Sequence, residues 1–132
     1  MTLKQAVMSA GQSAQQATAQ QGFLSVPSLT ATGNSQGTAL ALPTDFNVFT
    51  TVAASTGGIL PGAVDTAATP GVVNPTDSII VVNHGASSLS IYPQTGGKIA
   101  NGSANAAFAV AANKTATFLY LGSNLWAASV SA

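Results

Sequence analysis

The chain has 132 residues, only 5% of them charged, and its formal net charge is zero. An ordinary soluble domain carries about 25% charged residues. Here Arg and Glu are absent, and Lys4, Lys98 and Lys114 stand against Asp45, Asp65 and Asp77 alone. Three separated Lys exclude the basic footprint of a nucleic-acid binder. So sparse an inventory also offers few groups for acid–base, metal or phosphate chemistry. A net charge of zero removes the repulsion that keeps copies apart, so the chain reads as one built to sit in an assembly.

Hydrophobic residues reach 46%, but much of that is Ala; the aromatics are five Phe, two Tyr and one Trp. Ala buries little area, and hydrophobic stabilisation scales with area. The expected core is modest and would gain from burial between subunits. The length fits one domain with an appended arm. Cys is absent, which excludes disulfides and thiolate metal sites. The start shows no apolar signal region, and no apolar run approaches the ~20 residues of a spanning helix. The expectation is a soluble, cytoplasmically made chain with no cleaved export signal and no membrane partner.

Residues 1–22 are rich in Gln and Ala. Leu3, Val7, Ala10, Ala14 and Ala17 are spaced 4-3-4-3, a heptad-like stripe. Gly11 interrupts it at about 1 kcal/mol relative to Ala. This segment reads as a weak helix needing a partner surface, an arm that orders on docking, or a frayed tail. Residues 23–132 form the expected β-domain. Between residues 23 and 77, Pro27, Pro43, Pro61, Pro70 and Pro75 alternate with glycines, so no helix of normal length fits. Residues 46–53 read as a strand and 58–60 as a short one, with a loop over 61–77.

The rest is strongly β. Residues 78–82, Ser-Ile-Ile-Val-Val, predict a strand buried on both faces. Residues 83–88 predict a turn, and Leu89 and Ile91 share one face of the next strand. Residues 93–105 read as loop, a strand starts at Phe108, and residues 112–114 turn the chain. Residues 115–121 and 125–130 predict a hairpin across Gly122-Ser123-Asn124. Short strands with frequent turns predict an all-β fold, a β-sandwich or jelly-roll-like domain with an N-terminal arm or short helix.

The motifs that suggest chemistry are weak. Gly33-Asn34-Ser35-Gln36-Gly37 fits the G-x-S-x-G nucleophile elbow, and Asp45, Asp65 or Asp77 and then His84 follow in triad order. The elbow needs an apolar strand before it and a helix after it. Here Leu29-Thr30-Ala31-Thr32 precedes it and Pro43 closes it. His84, the sole His, falls in a turn, where a solvated side chain is expected. One His with three dispersed Asp does not fill a structural zinc site. Gly97-Lys98 is followed by Ile99 where a P-loop needs Ser or Thr. Tyr92, Tyr120 and Trp126 are candidates for stacking on a sugar, with packing in a core or interface the favoured reading. Asn101-Gly102-Ser103 and Asn113-Lys114-Thr115 match glycosylation sequons but read as turn chemistry. No catalytic residue, metal or cofactor site is assigned.

From Leu42 onward the chain carries Val81-Val82-Asn83-His84-Gly85, Leu89-Ser90-Ile91-Tyr92-Pro93 and Gly96-Gly97-Lys98-Ile99-Ala100-Asn101-Gly102. Residues 111–118, Ala-Ala-Asn-Lys-Thr-Ala-Thr-Phe, and then Leu125-Trp126 follow. This region, roughly the last two-thirds, resembles a small β-domain of tailed-phage virion proteins, whose pattern runs V-N-x-G, L-x-V-Y-P, G-G-x-I-N-G, V-x-x-G-K-x-A-x-F, W. The chain departs from it at Ala100 and at Asn113, where Gly is usual. The resemblance implies a phage structural protein without enzymatic activity. The expected role is a capsid decoration (cement) protein on the capsid exterior of the virion, with the major capsid protein and two further copies in a homotrimer as the expected partners. The alternative it implies is a fibre or receptor-binding module that recognises a host-surface glycan.

Overall fold

The computed structural model describes residues 28–43, 45–62 and 73–132. The expected arm over residues 1–22 and most of the loop over 61–77 lie outside the described residues, as do Lys4 and Asp65. Every regular element among the described residues is a strand: β1 Ser28–Thr30, β2 Leu40–Ala41, β3 Phe46–Thr51, β4 Gly57–Ile59, β5 Ser78–Asn83, β6 Leu89–Tyr92, β7 Lys98–Ile99, β8 Phe108–Val110, β9 Lys114–Gly122 and β10 Leu125–Val130. They form a six-stranded sheet ordered β1-β3-β5-β9-β10-β7 and a four-stranded sheet ordered β2-β4-β6-β8. The expected all-β class in two sheets is what the chain adopts.

The winding is less ordinary. From β1 to β8 successive strands alternate between the two sheets. Neighbours within each sheet are therefore separated in sequence by a strand of the other sheet. That arrangement supplies the crossover a parallel pair needs without any helix. Five of the eight strand pairs are parallel: β1–β3, β3–β5, β2–β4, β4–β6 and β7–β10. Jelly rolls are built from antiparallel strands, so the coiled winding of β1 to β6 is a feature the sequence pattern did not reveal. Antiparallel pairing enters where β5 meets β9, where β6 meets β8 and in the β9–β10 hairpin.

Register explains the core. In the larger sheet Leu29, Phe49 and Asn83 are successive partners, as are Ile79 and Phe118, and then Val81 and Ala116. Their side chains point inward, and Phe49, Val81, Ala116 and Phe118 are fully buried. The smaller sheet contributes Leu89, Ile91 and Val110 to the same cluster. Phe108 of β8 meets Phe118 of β9 edge-on across the sheets, with ring centroids 5.6 Å apart. Gly58 lies under this layer. A Cβ there would sit 3.0 Å from Leu42 Cδ2 and 3.3 Å from Phe49 Cζ, so its bare backbone makes room for the Phe49 ring.

Two buried amides tie the elements together. Asn83, at the end of β5, donates from Nδ2 to the carbonyls of Ser87 and Val110, both at 2.9 Å. Its Oδ1 accepts from the Gly85 amide at 2.9 Å, and its own carbonyl accepts from Asn113 at 2.7 Å. The β5–β6 turn, β8 and the β8–β9 turn are thereby locked to one side chain. Gly85 is required beside it, because a Cβ would sit 2.5 Å from that of Val52. Gln94 plays a similar part at the other end. Trp126 Nε1 donates to Gln94 Oε1 at 2.8 Å, and Gln94 Nε2 donates to Asn124 Oδ1 at 3.0 Å. The Asn124 amide in turn donates to the Tyr120 hydroxyl at 3.1 Å.

Asn83→Ala leaves buried carbonyls without donors and should cost about 2–4 kcal/mol. Chemical denaturation measures this directly; a loss below about 1 kcal/mol would show that the turn holds without the amide.

Candidate interaction surface

The outer face of the six-stranded sheet is the surface most unlike that of a free domain. Alternation along the strands directs Ile80, Thr117, Leu119, Leu121, Leu125 and Ala127 to this face. No charged side chain lies on it between β3 and β10. Among the described residues the exposed large hydrophobic ones are Leu119, Leu121, Leu125 and Val130, of which the three leucines lie on this face and Leu121 is half exposed at 50%. Contiguous exposed apolar side chains mark contact sites far more than scattered ones do. Covering each of the three leucines would return on the order of 1 kcal/mol, since full burial of Leu is worth about 1.5–3.

The hairpin is placed by its own chemistry. Ser123 and Asn124, at φ 54° and 62°, make the tight left-handed turn that two-residue hairpins favour. Trp126 and Tyr120 are cross-strand partners with ring centroids 5.0 Å apart. Their burial forces the alternate residues, Leu119, Leu121 and Leu125, outward. The edge of β10 is open as well. β7 covers only Leu125 and Trp126, and among the described residues no strand flanks β10 beyond them. The Ala100 amide donates to the Trp126 carbonyl on that side, so alternation turns the backbone groups of Ala128 and Val130 to the same open edge. No Lys or Pro on β10 blunts it, although natural edges are commonly protected so.

Lys98 of β7 is the register partner of Leu125 and is exposed on this face. Asp77 immediately precedes Ser78, the partner of Leu119, and stands opposite Tyr120, so alternation turns it away from the leucines. The Tyr120 amide donates to the Asp77 carbonyl at 2.9 Å, and the Asn74 amide donates to Asp77 Oδ2 at 2.8 Å. Asp45 lies close by, its carbonyl accepting from Ile80 at 2.7 Å. Partial burial raises the Asp45 carboxyl above its ordinary value, and the Asp77 carboxylate pushes the same way.

Among the described residues, those that suggested catalysis are not brought together. Ser35 Oγ lies 2.9 Å from Thr38 Oγ1 within its own tight turn. Gln36 ties that turn to the Pro93 carbonyl at 2.7 Å, just past the C-terminal end of β6. His84 is exposed in the turn that precedes the other end of β6, with its backbone amide donating to Phe49. Asp45 and Asp77 neighbour each other rather than either of these. No group of three metal-ligating side chains occurs among the described residues. Nor does any helix among them have the length and apolarity to cross a membrane.

Of the three aromatics singled out for stacking, Tyr120 and Trp126 are buried, at 3% and 0% exposure. Both are core residues. Tyr92 alone stays half-exposed, its hydroxyl donating to the Asn34 carbonyl at 3.2 Å. Asn101 and Asn113 lie in exposed turns, Asn113 at a φ of 63°, which agrees with turn chemistry. The leucine face was not singled out from sequence. The signal was the alternation of Leu119, Leu121 and Leu125 with Phe118, Tyr120 and Trp126, which puts large apolar residues on both faces of the hairpin.

Comparison with family models, with curated proteins and with solved structures finds no match.

The raised Asp45 carboxyl has a testable consequence. The native state holds this proton to a higher pH than the unfolded chain does, so stability falls as pH rises through the folded value. Nothing is lost below the ordinary carboxylate range of about pH 4. Asp45→Asn should therefore melt slightly higher than the parent at about pH 7 and indistinguishably from it at about pH 3. A variant that melts lower at neutral pH would mean that a cation already compensates the carboxylate.

Proposed function

We propose that this chain is a structural component of a tailed-phage virion, a capsid decoration protein that binds the outside of the mature head as a trimer and stabilises the shell. The observation that carries the reading is the outer face of the six-stranded sheet, uncharged from β3 to β10 and ending in Leu119, Leu121 and Leu125. Such a face suits a permanent place in an assembly. The resemblance of residues 42–132 to phage virion β-domains supplies the setting. The N-terminal arm over residues 1–22 belongs to this reading too.

The mechanism is linkage. A protein that binds the expanded shell, and not its precursor, favours the expanded state by mass action. Each occupied site adds about 2.7 kcal/mol when the free protein stands at 100 times its dissociation constant. Contacts made by apolar, amide and hydroxyl groups lose less to salt than ion pairs do. In this reading residues 1–22 and 61–77 reach the major capsid protein or neighbouring copies.

A second reading, a fibre module that holds a host glycan, keeps one specific point of support. Tyr92 offers a half-exposed ring beside Gln36 and Asn105, whose amide groups lie 3.1 Å apart. The burial of Tyr120 and Trp126 removes two of the three stacking faces it needed.

Undecorated heads of the cognate phage, mixed with purified protein and sedimented, test the proposal. The protein should co-sediment with expanded heads and not with unexpanded ones, and decorated heads should withstand higher temperature before releasing DNA. Absence of binding, or equal robustness with and without the protein, would defeat the decoration reading. Binding to host polysaccharide abolished by Tyr92→Ala would replace it with the second.

A further inference from the structure

We propose that residues 1–22 fold back over the outer face of the six-stranded sheet, so that Leu3 and Val7 cover Leu119, Leu121 and Leu125 of their own chain. The inference concerns the free protein and does not rest on the decoration reading. Where that reading holds, passage of the arm to the head is what uncovers the leucines.

The face offers an apolar track that starts beside β1. Ser28 is the register partner of Val48, Val48 of Val82, Phe46 of Ile80 and Ile80 of Thr117. Alternation points all of these outward, together with Leu119. Phe46, Val48 and Ile80 are half-buried. Val82 is only 9% exposed, yet it stands outside the core cluster between the sheets. The track ends in the three exposed leucines on β9 and β10, the third and fourth strands beyond β1.

Chain direction and length choose the occupant. β1 runs parallel to β3 and β5, and β5 starts at Ser78, the partner of Leu119. The backbone that enters Ser28 therefore comes from the leucine end of the sheet. From Ser28 to the leucines is about 20–30 Å, at about 4.8 Å per strand and about 3.3 Å per residue. Val7 stands 21 residues before Ser28 and Leu3 stands 25. That length covers about 30–40 Å even at the compact rise of 1.5 Å per residue, so the arm reaches without being stretched. Its order fits as well. The large apolar side chains of residues 1–22 sit at the far end, in Met1, Leu3, Val7 and Met8, and the stripe nearer β1 is Ala10, Ala14 and Ala17. Lys4 is the only charge among residues 1–27, and the face has no charged side chain from β3 to β10. A segment tethered over this span meets its own face at about 1 mM, roughly a thousandfold above another copy at micromolar concentration. Tethering thus favours the chain's own arm over a second copy.

The chain has no Cys, so an introduced pair of thiols has no competitor. In the full chain, Val7→Cys is combined in turn with Leu119→Cys, Leu121→Cys or Leu125→Cys and oxidised mildly at low concentration. At least one pair should close within a single 13.0 kDa chain. Val7→Cys with Ala86→Cys, in the exposed turn at the far end of β5, should not. Binding of a fluorescent dye for apolar surface gives a second readout. Leu3→Asp with Val7→Asp should raise it several-fold while the strand spectrum persists, and Leu121→Asp added to them should reverse most of the rise. Disulfides that form only between chains would overturn the proposal in favour of a second copy. Closure no better than with the Ala86 pair, or dye binding unmoved by the arm variants, would overturn it outright. Head binding is read separately, so its failure defeats the decoration reading and leaves this contact standing.

Discussion

The junction between β5 and β6 carries the rest of the structure. On one side of it lies a coil in which β1 to β6 alternate between the sheets and pair in parallel. On the other, β8 and β9 pair antiparallel with β6 and β5, β9 and β10 form a hairpin, and only the short β7 adds a parallel pair at the edge. Each sheet changes its pairing mode at this junction, at β5 in the larger sheet and at β6 in the smaller. The turn between them is fixed by Asn83, which is fully buried and uses its whole side-chain amide on the turn itself and on the carbonyl of Val110. A buried amide satisfied in this way specifies one arrangement, since any other orphans polar groups in a core that water does not reach.

With the junction set, the orientation of the hairpin follows. β9 is held against β5 from Ser78 to Asn83, which aims Ala116, Phe118 and Tyr120 inward and brings Trp126 to the Gln94 amide. The large aromatics of the hairpin are consumed by the core. Its leucines are then turned to the outside, beside an edge that β7 covers only in part. Core and outer face are therefore two consequences of one register: a one-residue slip would expose Trp126 and bury the leucines. The scarcity of charge has its meaning here. A surface of Ser, Thr, Asn and Gln stays hydrated without ion pairs.

Much of this was legible in residue order. The hairpin over 115–130, the strand over 78–82, the alternating strand at 89–92 and the start of a strand at Phe108 all appear within a residue or so of their expected bounds. They are long or strongly patterned, and their turns contain residues that accept left-handed backbone. β1, β2 and β7 were not foreseen. They have two or three residues each, too few for a period, and they exist because a neighbouring strand offers backbone partners. The G-x-S-x-G motif at 33–37 shows the opposite error that local reading invites. Its residues form a turn in which Ser35 and Thr38 satisfy each other, tied to the end of β6 by Gln36 and Asn34.

The sequence by itself determined the class of structure and the character of the surface: β-branched runs and breakers leave only strands, and three Lys against three Asp leave a neutral, polar exterior. Only the tertiary structure decided which strands are parallel neighbours, because the pairing of β1 with β3 or of β4 with β6 depends on what a whole intervening strand does in the other sheet. It also decided that Asn83 is a buried anchor rather than a turn residue, and that Tyr120 and Trp126 face the core. Local pattern reports what a segment can become, whereas burial depends on which distant segment covers it.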